Sequence, residues 1–217
     1  MKRFIFSTVL AAALSGNTFP SAGEIPPPRT PYVASVPQYA DWTMRLVPST
    51  DATKEKEPAL SPGTPVLVQT TRTLGIRHRV TTYASGYRLE SWQSGVAALN
   101  DLDESDVTVA DMSQVEAFDM SIQNVFTETA WVNISNFQGI AQIDKVNYYH
   151  YVNGSEEAWI NIETMLPSFY KKGELMYRFQ FNPAPTAMLV LPPKYQAGLD
   201  KFNRMMDRRA RLAKEIK

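Results

Sequence analysis

The chain contains no cysteine. That absence excludes a disulfide scaffold, a thiolate nucleophile, a cysteine metal cage and an acylated lipoprotein cysteine. Histidine is scarce as well. His78 and His150 are the only two, and neither has the second histidine or the acid at i+4 that a metal site or a general base requires. No G-x-S-x-G elbow, phosphate loop or G-x-G-x-x-G turn is present. No apolar run reaches the roughly 20 residues that cross a bilayer as a helix. From these absences we expect no catalytic residue, no metal ligand set and no cofactor.

The N-terminus has the layout of an export signal. Lys2 and Arg3 precede an apolar run from Phe4 to Leu14, and Ser21-Ala22-Gly23 offers the small residues of a cleavage site after Gly23. An exported, cysteine-free chain of this kind is expected in the periplasm or the secreted fraction of a bacterium, held together by its core alone. Residues 24–65 form a second region, a Pro-rich leader followed by a loop. Five prolines between Glu24 and Gln38 rule out a helix there. Asp41 to Val47 suggests a short anchored strand or turn with Trp42 buried. The stretch TDATKEKEPALSPGTP then marks a loop.

Residues 66–193 carry the strand signals. PVLVQTTRTL and IRHRVTTY are joined at Gly75, and a turn at Ser85-Gly86 leads to YRLESW. With that two-residue loop, Thr82 faces Leu89 and Val80 faces Ser91. Ile76, His78, Val80, Thr82 and Leu89 then point inward, with Arg77, Arg79, Arg88 and Glu90 outward. An arginine row of this kind suits phosphate or nucleic acid. Beside Glu90, on an acidic body, it reads instead as cross-strand ion pairing, and no nucleic-acid partner is expected. Gly95 to Leu99 suggests a short helix. Asp101, Asp103, Glu104 and Asp106 invite a calcium loop but lack the central glycine, and Met112 stands where the glutamate ligand belongs. Asp111 is placed to cap a short helix from Met112 to about Met120. Residues 124–141 allow one more strand or an amphipathic turn packed under the sheet, with a helix from Asp119 to Trp131 as the competitor.

From Ile143 to Leu191, apolar stretches of strand length alternate with Asn-Gly, Pro and Lys-Gly breaks, the pattern of a meander. Leu175, Tyr177, Phe179 and Phe181 share one face, and Ala158 and Ile160 are set apart from Trp159 and Asn161. APTAMLVLP reads as the closing strand, stopped by Pro192-Pro193. The aromatic and methionine content of this region suits either a solid core or an apolar ligand cavity. For a cavity, the candidate lining is Tyr149, Tyr151, Ile160, Tyr177, Phe179, Phe181 and Met188. Asp144, Glu156, Glu157, Glu163 and Glu174 leave open a hydrolase built on a carboxylate pair.

Residues 194–217 predict an amphipathic helix. Tyr195, Leu199, Phe202 and Met206 form one stripe, to be packed on the domain, with arginines on another side. The segment carries a net charge of +5 against −7 for residues 24–193. Such a helix is either a solvated face or an attachment to an envelope protein or an anionic membrane surface.

The segment AWINIETMLPSFYKKGELMYRFQF, residues 158–181, resembles the W-I-D-x-x-T-x-L-P strand-and-return of exported bacterial proteins related to periplasmic lipoprotein carriers and outer-membrane lipoprotein receptors. Trp159, Ile160, Thr164, Leu166 and Pro167 match, with Asn161 in the aspartate position. The resemblance implies an unclosed half-barrel around helices, with an apolar concavity that shields acyl chains. The expected fold is therefore mainly β within the α+β class. It is a curved antiparallel sheet of roughly seven to nine strands, a half-barrel-like meander packed on helices, with a C-terminal amphipathic helix. The expected function is non-catalytic binding or carriage of an apolar, lipid-like ligand. An envelope assembly protein and a carboxylate hydrolase are the alternatives.

Overall fold

The structure, a computed structural model, describes residues 25–47, 60–101, 107–111 and 124–215. The export signal, most of the 50–65 loop, Asp103 to Asp106 of the acidic run and the helix expected at 112–120 lie outside the described residues.

Over the described residues the protein is mainly β, with one antiparallel sheet of eleven strands and one long helix. The strands are β1 (Tyr39–Val47), β2 (Pro65–Thr73), β3 (Ile76–Tyr83), β4 (Arg88–Ser94), β5 (Ala97–Asp101) and β6 (Val107–Asp111). They continue with β7 (Phe137–Ile143), β8 (Val146–Asn153), β9 (Glu156–Asn161), β10 (Pro167–Lys172) and β11 (Leu175–Asn182). Their spatial order is β6-β5-β4-β3-β2-β1-β11-β10-β9-β8-β7. Two meanders, β1 to β6 and β7 to β11, thus meet along a single seam, where β1 pairs β11 from Asp41↔Asn182 to Val47↔Met176.

β1 shows why the seam holds. Its odd positions Tyr39, Asp41, Thr43 and Arg45 are exposed or half-buried, whereas Ala40, Trp42 and Met44 are buried. That period of two points an apolar row at one face of the sheet. Across the seam, Tyr177 and Phe179 of β11 extend the row, joined by Tyr170 of β10 and Val68 of β2. The leader, residues 25–37, and a segment with short 3-10 turns at Thr127–Thr129 and Ile134–Asn136 supply the packing on this face. Phe126 of that segment is 1% exposed and meets Trp42 edge-on at 5.3 Å between ring centroids. We call this the leader-side face.

The opposite face is covered at β4 to β6 by the helix α1 (Pro193–Glu215). Tyr195 and Leu191 are buried there against Trp92 and Leu99. Gly198 lies against β6, where an added Cβ would sit 3.4 Å from Val107, at the near edge of ordinary van der Waals contact. Pro193 opens the helix, where its missing N–H costs nothing.

Several expectations are corrected. Residues 97–101 form strand β5 and not a helix, because Ala97 and Leu99 alternate into the core beneath α1. The segment 183–192 is no closing strand and joins no ladder of the sheet, although its Leu189 N–H donates to the Thr73 hydroxyl of β2 at 2.7 Å. Pro183 and Pro185 cannot donate to a ladder, and the chain instead crosses the helix-side face with Leu189 and Leu191 turned inward. The strand count exceeds the expected range partly because SFYKK is a strand of its own, β10. Residues 124–136 form neither the strand nor the helix but the packed amphipathic turn, with short 3-10 turns lying on the leader-side face, and the strand β7 begins only at Phe137.

The β3–β4 pairing is one residue out of the expected register. Thr82 faces Arg88, Val80 faces Glu90 and His78 faces Trp92, since the loop takes in Ala84 to Gly86 between Tyr83 and Tyr87. A one-residue slip exchanges the faces. Leu89 therefore shares a face with Arg77 and Arg79, while Glu90 lies with His78 and Val80 on the other.

Candidate functional site

The described structure brings the candidate lining residues together on the leader-side face, with one exception. Tyr149, Tyr151 and Ile160 are buried and packed with Ile25, Tyr32, Val33, Trp131 and Phe137. Tyr177 and Phe179 are buried around Phe126. Phe181 is at the rim, its ring 5.6 Å from that of Phe126. Met188 stands apart, exposed in the extended segment on the helix side of the sheet.

Between the leader and the β9–β10 connection lies a groove of about 560 Å³. Its walls are Pro26, Pro27, Thr30, Pro31 and Ala34 from the leader and Tyr149, Thr164 and Met165 from the sheet, with Arg29 as the one charged group among them. The wall exists because of a local turn. The Asn161 side chain accepts hydrogen bonds from the backbone N–H groups of Glu163 and Thr164, both at 2.9 Å, and from the Thr164 hydroxyl at 3.2 Å. An Asx turn of this kind needs a short side-chain oxygen, which asparagine supplies as well as aspartate does. The turn carries Met165 into the left-handed region at φ 57°. There its carbonyl accepts from Ala34 N–H at 2.7 Å. The motif residues Asn161, Thr164, Leu166 and Pro167 thus shape the ledge on which the leader rests.

The leader has further struts that sequence reasoning missed. The Tyr149 hydroxyl donates to the Pro26 carbonyl at 2.9 Å. Arg72, 7% exposed on β2, donates from Nη1 to the Val36 carbonyl at 3.0 Å and from Nη2 to Asn124 Oδ1 at 2.7 Å. Burial lowers its guanidinium pKa. Arg72 lies directly across from Arg77, and Arg79 next along the face pairs with Glu128 at 2.9 Å. Burial, with Arg72 and Arg79 nearby, brings Arg77 down to about 10, opposed by Glu128. Glu90 is engaged by His78 at 3.1 Å and by the Trp92 indole N–H at 2.8 Å, on the face opposite Arg77 and Arg79. Arg79 reaches Glu128 instead, a residue 49 positions away that no strand spacing connects to it.

Two of the candidate carboxylates, Glu156 and Glu157, are committed to other work. Glu157 accepts from Lys171 Nζ at 2.6 Å and faces His150 Nε2 at 2.9 Å, and Glu156 accepts from the Tyr170 hydroxyl at 2.6 Å. Burial raises the Glu157 pKa, but the hydrogen bonds from Lys171 and His150 outweigh it and hold the group below its ordinary value. A general acid needs the opposite shift. Both histidines do have an acid neighbour, supplied across the sheet and not at i+4. Glu90 stands 3.1 Å from His78, which stacks on Trp92 at 4.2 Å, and His150 stacks on Trp159 at 4.8 Å. No group of three or more metal-ligating side chains occurs among the described residues.

No protein-family model matches the chain, and no curated protein does. Among solved structures it is similar to the crystal structure of Mycobacterium tuberculosis lipoprotein LppX. The TM-score is 0.39 at 11% identity, over 71% of this chain and 90% of that one.

Proposed function

We propose that this chain is a non-catalytic binding protein of the bacterial envelope, exported by its N-terminal signal, which carries an apolar, acyl-chain-like ligand between its leader and the sheet. The observation that supports this reading is the groove beside Tyr149 and Met165. Its volume of about 560 Å³ falls within the roughly 300–1,000 Å³ of small-molecule sites. Its walls are mostly apolar, so burial holds the ligand, at about 0.8 kcal/mol per methylene. Arg29 at the groove suits the carboxylate or phosphate end of such a chain. The ledge built by Asn161 and the leader's few hydrogen bonds make the leader the part that moves to admit it.

Native mass spectrometry of protein gently extracted from the envelope tests the proposal, and a retained lipid mass is expected. Delipidated protein should then take up a fluorescent fatty acid. Ala34→Trp, which fills the groove, should weaken uptake about tenfold, the effect of roughly 1.4 kcal/mol, without lowering the melting temperature. A bare mass together with no uptake by the wild type overturns the reading.

A further inference from the structure

The helix α1 is longer than the surface it covers. Tyr195, Gly198 and Leu199 pack on β5, β6 and Trp92, and Phe202 and Met206 are half-buried, but every residue from Asp207 to Lys214 is exposed. These eight residues extend the helix by about 12 Å beyond its packed part. On a 3.6-residue repeat, Lys201, Arg204, Arg208 and Arg211 fall on the side opposite Tyr195, Leu199, Phe202 and Met206. All four cations are exposed. Among the described residues none of the three arginines has an ion-pair partner.

Apolar side chains share that outward side. Met205 and Leu212 flank the basic row and are 47% and 49% exposed. The segment leading into the helix adds two more. Its Leu189 and Leu191 face the sheet, so Met188 and Val190, which alternate with them, face away, at 59% and 78% exposed. Segment and helix lie on the same face of the sheet with their buried sides toward it. Their outer sides therefore point the same way and present four apolar side chains around a basic stripe.

We propose that this surface docks the protein on an anionic lipid bilayer. A row of cations with apolar residues beside it suits the headgroup boundary, where phosphates meet the basic groups and the acyl region takes the apolar ones. An acidic protein or polyanion would satisfy the arginines and leave Met188, Val190, Met205 and Leu212 in water. The rest of the chain argues the same way. Residues 24–193 carry a net charge of −7, yet the arginine row is turned away from that body and not folded onto it. The docking surface is on the helix side of the sheet, whereas the groove is on the leader side, so this proposal does not depend on ligand carriage.

Flotation of the protein, as recovered from cells, with two kinds of vesicle tests it. One kind is phosphatidylcholine alone, and the other is phosphatidylcholine and phosphatidylglycerol in equal parts. Binding to the mixed vesicles only is expected, weakening as salt is added. The triple variant Arg204→Glu, Arg208→Glu, Arg211→Glu should bind on the order of 100-fold more weakly, at roughly fivefold for each basic residue lost. Met188→Ser with Val190→Ser should weaken binding about tenfold by removing apolar insertion. Both variants should melt near the wild-type temperature, because the altered side chains are exposed. Failure of the wild type to bind mixed vesicles overturns the proposal, as does undiminished binding by the triple variant. If the serine variant keeps wild-type affinity while the triple variant loses it, the surface is an electrostatic dock for a polyanion and the bilayer reading is wrong.

Discussion

Glu157 shows how one side chain on this sheet is fixed by its neighbours. It sits on β9 directly across from Lys171 on β10, with His150 of β8 reaching it diagonally on the same face. Hydrogen bonds from both outweigh the burial penalty, so the folded state keeps the carboxylate ionised below its ordinary value of 4.5. The sign follows directly. A depressed folded pKa gives stability that is fully present above 4.5 and is lost as the pH falls through the lower folded value. Glu157→Gln should therefore cost about 1 kcal/mol at neutral pH, a partly exposed pair being worth no more. That difference should shrink toward zero in acid. Urea midpoints for both proteins across the acid limb check this, and a gap that stays constant to low pH would show that the ion pair is not its source. Arg72 belongs to the same scale but does different work. With neutral acceptors on the leader and on Asn124, it joins cover to sheet, and nothing in VQTTRT distinguishes it from a solvent-facing arginine.

Among the elements, those with an unbroken period were legible in the sequence. The stripe of Tyr195, Leu199, Phe202 and Met206 identified α1, and the alternation Leu175, Tyr177, Phe179, Phe181 placed β11 with its correct face toward the core. What was illegible turned on backbone geometry at single residues. Asp144 and Lys145 both take positive φ, at 51° and 66°, and make the two-residue turn between β7 and β8. Such a turn is normally announced by Asn-Gly or Asp-Gly, so IDKVNYYHYV reads as one strand. The β3–β4 slip has the same origin, since Ser85-Gly86 looks like a two-residue loop and one more residue is in it. In the candidate site, the burial of the aromatics on the leader-side face was readable from their pattern, but of the residues expected to line a cavity only Tyr149 lines the groove. The groove itself was not readable, because its second wall is a proline segment more than 120 residues away from Tyr149, as the Tyr149–Pro26 bond shows. The docking of α1 can be tested by its anchor. Tyr195 is 4% exposed and its ring is 5.8 Å from that of Trp92. Tyr195→Ala should cost about 3 kcal/mol, the lower range for emptying an aromatic site. Arg208→Glu, on the exposed side, should stay within about 0.5 kcal/mol. Equal effects in chemical denaturation would mean that the helix is not held through its apolar stripe.

At the scale of the whole molecule, the sheet and its cover are held by different means. The eleven strands are joined by continuous ladders, whereas the leader has no strand partner and is held at separate points. Those points are the Pro26 carbonyl on Tyr149, Ala34 N–H on the Met165 carbonyl, Val36 N–H on the Asn124 carbonyl, and Arg72 on the Val36 carbonyl. Isolated hydrogen bonds of this kind contribute about 0.5–1.5 kcal/mol each, and Val36 and the half-buried Ile25, Tyr32 and Val33 add apolar contact. The leader can therefore lift while the ladders stay intact, as local opening in proteins generally does at the least cross-linked segment. A chain without cysteine permits a direct test, since an introduced pair has no other thiol to react with. Ala34→Cys with Met165→Cys places the two thiols on residues whose backbones are joined at 2.7 Å. The oxidised form should melt at a higher temperature, because the bond closes a loop of more than 100 residues, worth up to about 5 kcal/mol. It should also take up a fluorescent fatty acid at least about tenfold more slowly if entry requires the leader to move. Reduction should restore both properties. If the oxidised protein is stabilised as expected but takes up the fatty acid at the wild-type rate, the ligand reaches the groove past a fixed leader, and the moving part lies elsewhere.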